Sequence, residues 1–104
     1  MIKRLTKRFL LIETNDNVAV ALTDLNEGEL LFEREEDGSK LKTAEPIMQG
    51  HKVAIENIPA GVGIVKYGQL IGIAKSYIKE GAHVHVHNVE DITERLVSER
   101  RPRS

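Results

Sequence analysis

The sequence contains no cysteine and no tryptophan, and aromatic residues make up only 4% of its 104 residues. The lack of cysteine excludes disulfide bonds, thiolate metal ligands and a cysteine nucleophile. Because small secreted domains commonly depend on disulfides, it also favours a cytoplasmic protein. Since 40% of the residues are apolar, we expect one small domain with a modest core.

Long apolar runs and an excess of one charge are also missing. The apolar run after the basic N-terminus extends only from Phe9 to Ile12 and ends at Glu13. It is shorter than the core of a signal peptide and far short of the ~20 residues that span a bilayer. The 15 basic and 16 acidic residues give a formal net charge of −1. This composition predicts no membrane segment and no nucleic-acid partner.

Short apolar segments between turn-forming residues predict a mainly β protein. The expected strands are residues 9–13, 18–22 and 29–33, and the charged residues 34–42 are expected to form a solvated loop. A helical pattern is found only at residues 91–97, which predicts one or two terminal turns.

A repeated pattern supports many short strands. The motif [Val/Ile]-Ala-x-x-x-[Leu/Ile]-x-x-Gly ends at Gly28, Gly61 and Gly81. In each copy, we expect an apolar residue to fill a corner and the glycine to adopt a backbone conformation that other residues resist. Three such corners predict bent strands around one core, although a one-turn helix at each corner fits the pattern as well.

These features divide the chain into three parts. Residues 1–8 form a basic N-terminal arm, residues 9–92 form the β domain, and residues 93–104 form a charged tail that we expect to be flexible.

The histidines near the end of the domain are the first candidates for chemistry. His83, His85 and His87 alternate with valines, so on a strand they would share one face, with adjacent imidazoles about 7 Å apart and the outer two about 13 Å apart. Imidazole–metal bonds are about 2 Å, so one adjacent pair could chelate an ion and all three could not. Asn88 follows at the expected strand end, where a substrate can reach polar groups. The alternative is a half-exposed strand that merely uses histidine.

Two other clusters combine a cation with glycine. Gly50-His51-Lys52 offers charge-assisted donors to a carboxylate beside a flexible backbone, but an exposed basic turn explains it equally well. Lys66-Tyr67-Gly68 fits either an anion site or a hairpin corner in which Tyr67 covers the core.

Taken in order, these motifs resemble one family. Gly50-His51-Lys52-Val53-Ala54, Asn57-Ile58-Pro59-Ala60-Gly61, Val65-Lys66-Tyr67-Gly68 and Val84-His85-Val86-His87-Asn88 follow one another along the chain. Together they resemble the SAF-type domain of the altronate/galactarate dehydratase family, over most of residues 9–92. The resemblance implies a β-clip fold. It also implies dehydration of a hexonic or hexaric acid to a 2-keto-3-deoxy acid with a divalent metal, typically Fe²⁺.

The resemblance also implies roles for individual residues. It implies catalytic roles for His51, Lys52 and His85. It implies substrate contacts for Lys66, Tyr67, Gly68 and Asn88. His85 and His87 are the implied metal ligands, whereas His83 stands where the family often has an aromatic residue and receives no role.

In some relatives the domain is a separate small chain beside a large catalytic subunit, and sulfolactate sulfo-lyase looks like this. The present chain resembles such a stand-alone small subunit. We therefore expect a large subunit that completes the site, a sugar-acid or hydroxy-acid substrate, and sheet edges that permit homo-oligomers. The alternatives are a non-catalytic SAF-type module that binds carbohydrates or sugar acids, the small subunit of a sulfolactate sulfo-lyase, and a purely structural subunit.

Overall fold

The computed structural model describes residues 4–5, 8–11, 15–34 and 36–91, and these residues form ten β-strands and no helix. The strands are β1 (Arg4–Leu5), β2 (Phe9–Leu11), β3 (Val18–Ala21), β4 (Leu30–Glu33), β5 (Lys40–Lys42), β6 (Lys52–Ala54), β7 (Gly63–Lys66), β8 (Gln69–Ala74), β9 (His83–Val84) and β10 (Val89–Asp91). The prediction of a mainly β protein is confirmed. No helix capable of crossing a membrane occurs among the described residues.

The strands form three small antiparallel sheets. One has the order β1-β2-β3-β6-β9, the second has the order β10-β8-β7, and the third contains β4 and β5. Strand β9 lies at one edge of the first sheet with β6 beside it, and both belong to the site described below.

The glycine repeat marks a corner that occurs four times in the described chain. Gly28, Gly50, Gly61 and Gly81 have φ angles of 80°, 84°, 86° and 85°, a left-handed conformation that favours glycine. The sequence pattern misses the copy at Gly50 because Lys42 and Thr43 replace the Val/Ile and the alanine that precede the other three glycines. Turns and isolated bridges form these corners, so the alternative of a one-turn helix at each corner is wrong.

The four corners are joined in two pairs by matching hydrogen bonds. Leu25 and Ile47 exchange backbone hydrogen bonds of 2.8 and 2.9 Å, and Ile58 and Ile78 exchange bonds of 2.7 and 2.8 Å. Each corner glycine also donates its N–H to the carbonyl seven residues before the partner glycine. These bonds, of 2.7–2.9 Å, run from Gly28 to Thr43, from Gly50 to Ala21, from Gly61 to Ala74 and from Gly81 to Ala54. The domain therefore consists of two similar units. The first unit contains the joined corners at Gly28 and Gly50, and the second contains those at Gly61 and Gly81.

The two pairs of joined corners pack in different apolar clusters. Leu25 and Ile47 lie in the first cluster with the fully buried Leu41, and Ile58 and Ile78 lie in the second. Burial of one such side chain contributes roughly 1.5–3 kcal/mol. Strands β3 and β6 pair between the two units and hold them together.

Strands β1 and β5 lie in segments that the sequence analysis assigns to an arm and a loop. Strand β5 lies inside the predicted loop at 34–42, because Leu41 is fully buried between the exposed Lys40 and Lys42. This is the alternation of a half-buried strand, which the surrounding charges conceal. Strand β1 lies within the predicted N-terminal arm and pairs with β2. The predicted tail and, after Asp91, the predicted terminal turns lie outside the described residues.

The corner at Gly81 fixes the position of β9. A Cβ atom on Gly81 would lie 2.1 Å from the carbonyl oxygen of Lys42 and 3.0 Å from the nitrogen of Ala44. The Gly81 carbonyl accepts a 2.7 Å hydrogen bond from Ala44. Glycine at this position therefore lets β9 lie directly against the first unit.

Candidate functional site

The site lies where the second corner of each unit leads into a strand. Strand β6 follows Gly50, strand β9 follows Gly81, and the two strands pair antiparallel with Val53 opposite His83. This pairing places His51 beside His83, with Nδ1 of His51 2.8 Å from Nε2 of His83. One of these two nitrogens carries the proton that the other accepts.

His85 completes a cluster of three imidazoles. Its ring centroid lies 4.0 Å from that of His51 and 5.4 Å from that of His83, with interplanar angles of 18° and 13°. One ring nitrogen from each of His51, His83 and His85 lies within 4.8 Å of the others. Two nitrogens bound to the same ion lie up to about 4 Å apart, so small ring rotations would bring the three to coordination distance.

The predicted continuous strand through His83, His85 and His87 is wrong. Strand β9 ends at Val84, and a turn follows in which the N–H of Asn88 donates to the carbonyl of His85 over 3.0 Å. The turn brings the His87 ring back to 5.0 Å from the His83 ring, far less than the 13 Å expected along a strand. The assignment of His87 as a metal ligand stays a prediction, because the cluster of three contains His51 instead.

The side chain of Asn88 holds this turn together. Its Oδ1 accepts a 2.9 Å hydrogen bond from the N–H of His85, and its Nδ2 donates to the carbonyl of His83 over 2.8 Å. Both ends of the amide are thus used on the backbone of the two histidines. Asn88 positions His83 and His85, and its predicted contact with substrate stays a prediction.

Glu45 is a member of the site that sequence reasoning missed. Its carboxylate accepts a 3.0 Å hydrogen bond from the backbone N–H of His83. Glu45 belongs to the first unit, and nothing local in the sequence distinguishes it from the other surface carboxylates. His83 itself was visible in the His-x-His alternation, but the resemblance gave it no role.

The surroundings of His83 and His85 favour their neutral forms. Burial lowers the pKa of His83, the charges of His87 and His51 lower it further, and Glu45 opposes the shift. The pKa of His85 is lowered by burial first and then by His51, Lys52 and His87. Because a metal binds the unprotonated nitrogen, these shifts favour coordination near neutral pH.

Lys52 lies near His85, and both residues line a small pocket. The pocket has a volume of about 170 Å³ and is lined by Lys52, Ile71, His85, Val86 and Val89. Lys52 is half-buried, and its pKa is lowered by burial and by the nearby charge of Lys66. The predicted residues His51, Lys52 and His85 are therefore adjacent in the structure.

Lys66, Tyr67 and Gly68 form the corner of the β7–β8 hairpin. Tyr67 and Gly68 have φ angles of 55° and 75°, both positive as in a type I′ turn. The N–H of Gly68 donates to the buried carboxylate of Asp16 over 2.7 Å. Tyr67 is 38% exposed and does not cover the core; Nζ of Lys66 lies 5.2 Å from its ring centroid. The substrate contacts predicted for these three residues stay predictions.

The donor set fits a divalent transition metal. Imidazole nitrogens suit Fe²⁺, Zn²⁺ and neighbouring ions rather than Mg²⁺ or Ca²⁺. An ion held by His51, His83 and His85 would keep coordination positions open for a substrate, as catalytic sites with three protein ligands do.

Comparison with known proteins identifies the family. Residues 7–92 match the model of the altronate/galactarate dehydratase SAF domain. The chain is 40% identical over 84 residues to altronate dehydratase of Bacillus subtilis (strain 168), covering 81% of this chain and 16% of that protein. It is 38% identical over 79 residues to galactarate dehydratase (L-threo-forming) of Escherichia coli (strain K12), covering 76% of this chain and 14% of that protein.

A separate subunit is also among the relatives. The chain is 43% identical over 51 residues to the (2R)-sulfolactate sulfo-lyase subunit alpha of Chromohalobacter salexigens, covering 49% of this chain and 52% of that subunit. The chain thus spans about a sixth of the length of the dehydratases it matches and about half of the sulfo-lyase subunit. Because the family model covers most of its residues, the chain belongs to the altronate/galactarate dehydratase SAF domain family.

Proposed function

We propose that the chain is the histidine-bearing component of a metal-dependent lyase that acts on a sugar acid, and that a larger partner completes its active site. The observation that carries this proposal is the meeting of His51, His83 and His85 within 4.8 Å. Three imidazoles, two of them with lowered pKa values, are a costly arrangement unless a cation or ligand uses them.

The need for a partner follows from the shape of the site. The cluster and the pocket beside Lys52 are shallow features of a small domain, and catalysis of this kind requires exclusion of water and a positioned base. The dehydratases that this chain resembles are about six times as long as the matched region. We propose that a chain equivalent to the remainder of those enzymes covers the site, and that this chain is inactive alone.

The proposed reaction removes water from a 2,3-dihydroxy acid. A base takes the proton from C2, the C3–O bond breaks, and the hydroxyl leaves as water after it gains a proton. The resulting enol rearranges to the 2-keto-3-deoxy acid. A bound Fe²⁺ would supply Lewis-acid stabilisation of the negative charge, contributing several kcal/mol.

We propose separate roles for the histidines and for Lys52. His51, His83 and His85 would hold the metal, with His87 packed on the ring of His83. Lys52 would neutralise the carboxylate of the substrate, because its ammonium group lines the pocket next to His85. We propose that the partner supplies the base that takes the C2 proton.

Sulfolactate is the second candidate substrate. The alignment covers 52% of the sulfo-lyase subunit but only 16% of the altronate dehydratase, so the matched domain makes up a much larger share of the sulfo-lyase subunit. Altronate, galactarate and sulfolactate all carry a hydroxyl group on the carbon next to a carboxylate. The same site would therefore hold any of the three, with a different leaving group for sulfolactate.

Reconstitution tests the proposal. The full chain is mixed anaerobically with Fe²⁺ and with the large subunit encoded beside it or co-purified with it, and product formation is measured from altronate, galactarate and sulfolactate. We expect activity with one of them only when both chains and the metal are present, and a loss of at least ~100-fold for His85→Ala. Glu56→Gln, which changes an exposed carboxylate, is the control. A large subunit that is equally active alone would refute the proposal, and a metal-binding chain that forms no active complex would indicate a binding module.

A further inference from the structure

The pocket beside the histidine cluster has one cationic side and one apolar side. Lys52 and His85 line one part of it, and Ile71, Val86 and Val89 line the rest. Neither Lys52 nor Lys66, whose charge acts on Lys52, forms an ion pair with a carboxylate in the described part of the chain. The ammonium group of Lys52 lines the pocket without a paired carboxylate, and the charge of Lys66 adds to the positive potential around it, which favours an anion.

The size and walls of the pocket limit which part of an acid it accepts. A volume of about 170 Å³ is below the ~300 Å³ of the smallest usual ligand pockets, so the pocket suits one short end of an acid rather than a whole hexonic acid. The side chains of Ile71, Val86 and Val89 cannot donate or accept hydrogen bonds. A further hydroxyl group placed against them without a partner would lose about 1–3 kcal/mol.

We propose that this pocket binds the 2-hydroxycarboxylate end of the substrate acid and nothing beyond it, so that the partner discriminates between acids that differ further along the chain. The carboxylate lies at Lys52, the hydroxyl at C2 lies at the ring of His85, and the rest of the acid leaves the pocket past Val86. Val86 is 73% exposed and forms the outer lip of the pocket, where a partner would meet the substrate. This inference rests on the proposed function and deepens it by naming the chemical group that this chain recognises.

Three small acids test the inference with the isolated full chain. Metal-free, ¹⁵N-labelled protein in EDTA is titrated with acetate, glycolate and D-gluconate, and the amide signals of Lys52, His85 and Val86 are followed. Glycolate and gluconate are expected to bind within about threefold of each other, because the additional hydroxyl groups of gluconate lie outside the pocket. Acetate, which lacks the hydroxyl, is expected to bind about three- to tenfold more weakly, as for one lost hydrogen bond.

Three results would overturn the inference. Gluconate binding more than about tenfold tighter than glycolate would mean that this chain also binds the hydroxyl groups beyond C2. Equal binding of acetate and glycolate would mean that any carboxylate is accepted, and the absence of shifts would mean that the pocket is not a site. Lys52→Gln is expected to abolish the shifts and the exposed Lys40→Gln to leave them unchanged. Because the titration uses no metal, its failure is separate from failure of the proposed function, which metal binding and reconstitution test.

Discussion

Replacing Gly81 by alanine tests how the corners build both the fold and the site. Gly81 has a φ angle of 85°, and an added Cβ would lie 2.1 Å from the carbonyl oxygen of Lys42. That oxygen belongs to backbone, so the contact can be relieved only by moving β9 or the end of β5. Gly61, the paired corner of the same unit, has a φ angle of 86° but no atom within 4 Å of its Cβ position. Gly61→Ala is therefore a matched control.

The two substitutions share one energetic cost and differ in another. A left-handed backbone costs an alanine about 1–2 kcal/mol at either position. Forcing extra atoms into packed structure adds about 1–3 kcal/mol, and only Gly81→Ala meets this second cost. We expect Gly61→Ala to lower the free energy of unfolding by about 1–2 kcal/mol and Gly81→Ala by about 2–5 kcal/mol. For a domain of this size, each 1 kcal/mol corresponds to a fall in Tm of about 4–8 °C.

Urea and thermal denaturation of both variants measure this difference. The site provides a second readout, because a shift of β9 moves His83 away from His51. Gly81→Ala is therefore expected to weaken Co²⁺ binding by at least about tenfold in the fraction that stays folded, whereas Gly61→Ala retains it. If the two variants lose equal stability, the close approach of Gly81 to Lys42 does not hold the units together and the reasoning fails.

Three further predictions concern the polar groups of the site. Asn88→Ala removes the amide that holds the backbone of His83 and His85, so Co²⁺ affinity should fall about 10- to 100-fold with a small loss of stability; an unchanged titration would contradict this role. Lys52→Met removes a half-buried ammonium group beside Lys66 and is expected to raise the free energy of unfolding by up to about 1 kcal/mol in urea; a decrease would refute it. The pKa values of His83 and His85 lie below the ordinary 6.5 in the folded chain, so the unfolded chain binds more protons as the pH falls below that value. Stability of the metal-free protein should therefore be constant well above pH 6.5 and decline as the pH falls through that value, and the decline should be smaller in the double variant His83→Asn/His85→Asn.

Much of the fold could be predicted because each copy of the repeat is defined by residues close together in the sequence. Apolar alternation and the left-handed glycines at Gly28, Gly61 and Gly81 identify corners without knowledge of any distant contact. The fourth corner, at Gly50, does not fit the motif because Lys42 and Thr43 replace the Val/Ile and the alanine. Strand β5 was missed because Leu41 is the only apolar residue in a charged stretch, and its burial depends on contacts with the rest of the first cluster.

The site could be predicted only in part, because its geometry depends on contacts between residues far apart in the sequence. Local patterns singled out the histidines and Lys52. The contact of His51 with His83 depends on the pairing of β6 with β9, which the pattern of either strand alone does not specify. Glu45 reaches His83 only because the first unit packs against β9. His87 lies near His83 because the Asn88 side chain holds a turn between them. The alternation of histidine with valine instead indicates a strand.

Anaerobic titration of the full chain with Co²⁺, used as a spectroscopic substitute for Fe²⁺, tests the central claim most directly. The wild-type chain is compared with alanine variants of His51, His83, His85 and His87. We expect one ion per chain, a loss of affinity of at least ~100-fold for each of the first three variants, and a change of less than about tenfold for His87→Ala. Loss of binding in His87→Ala together with retained binding in His51→Ala and His83→Ala would contradict the claim, because the ligands would then be the pair His85 and His87.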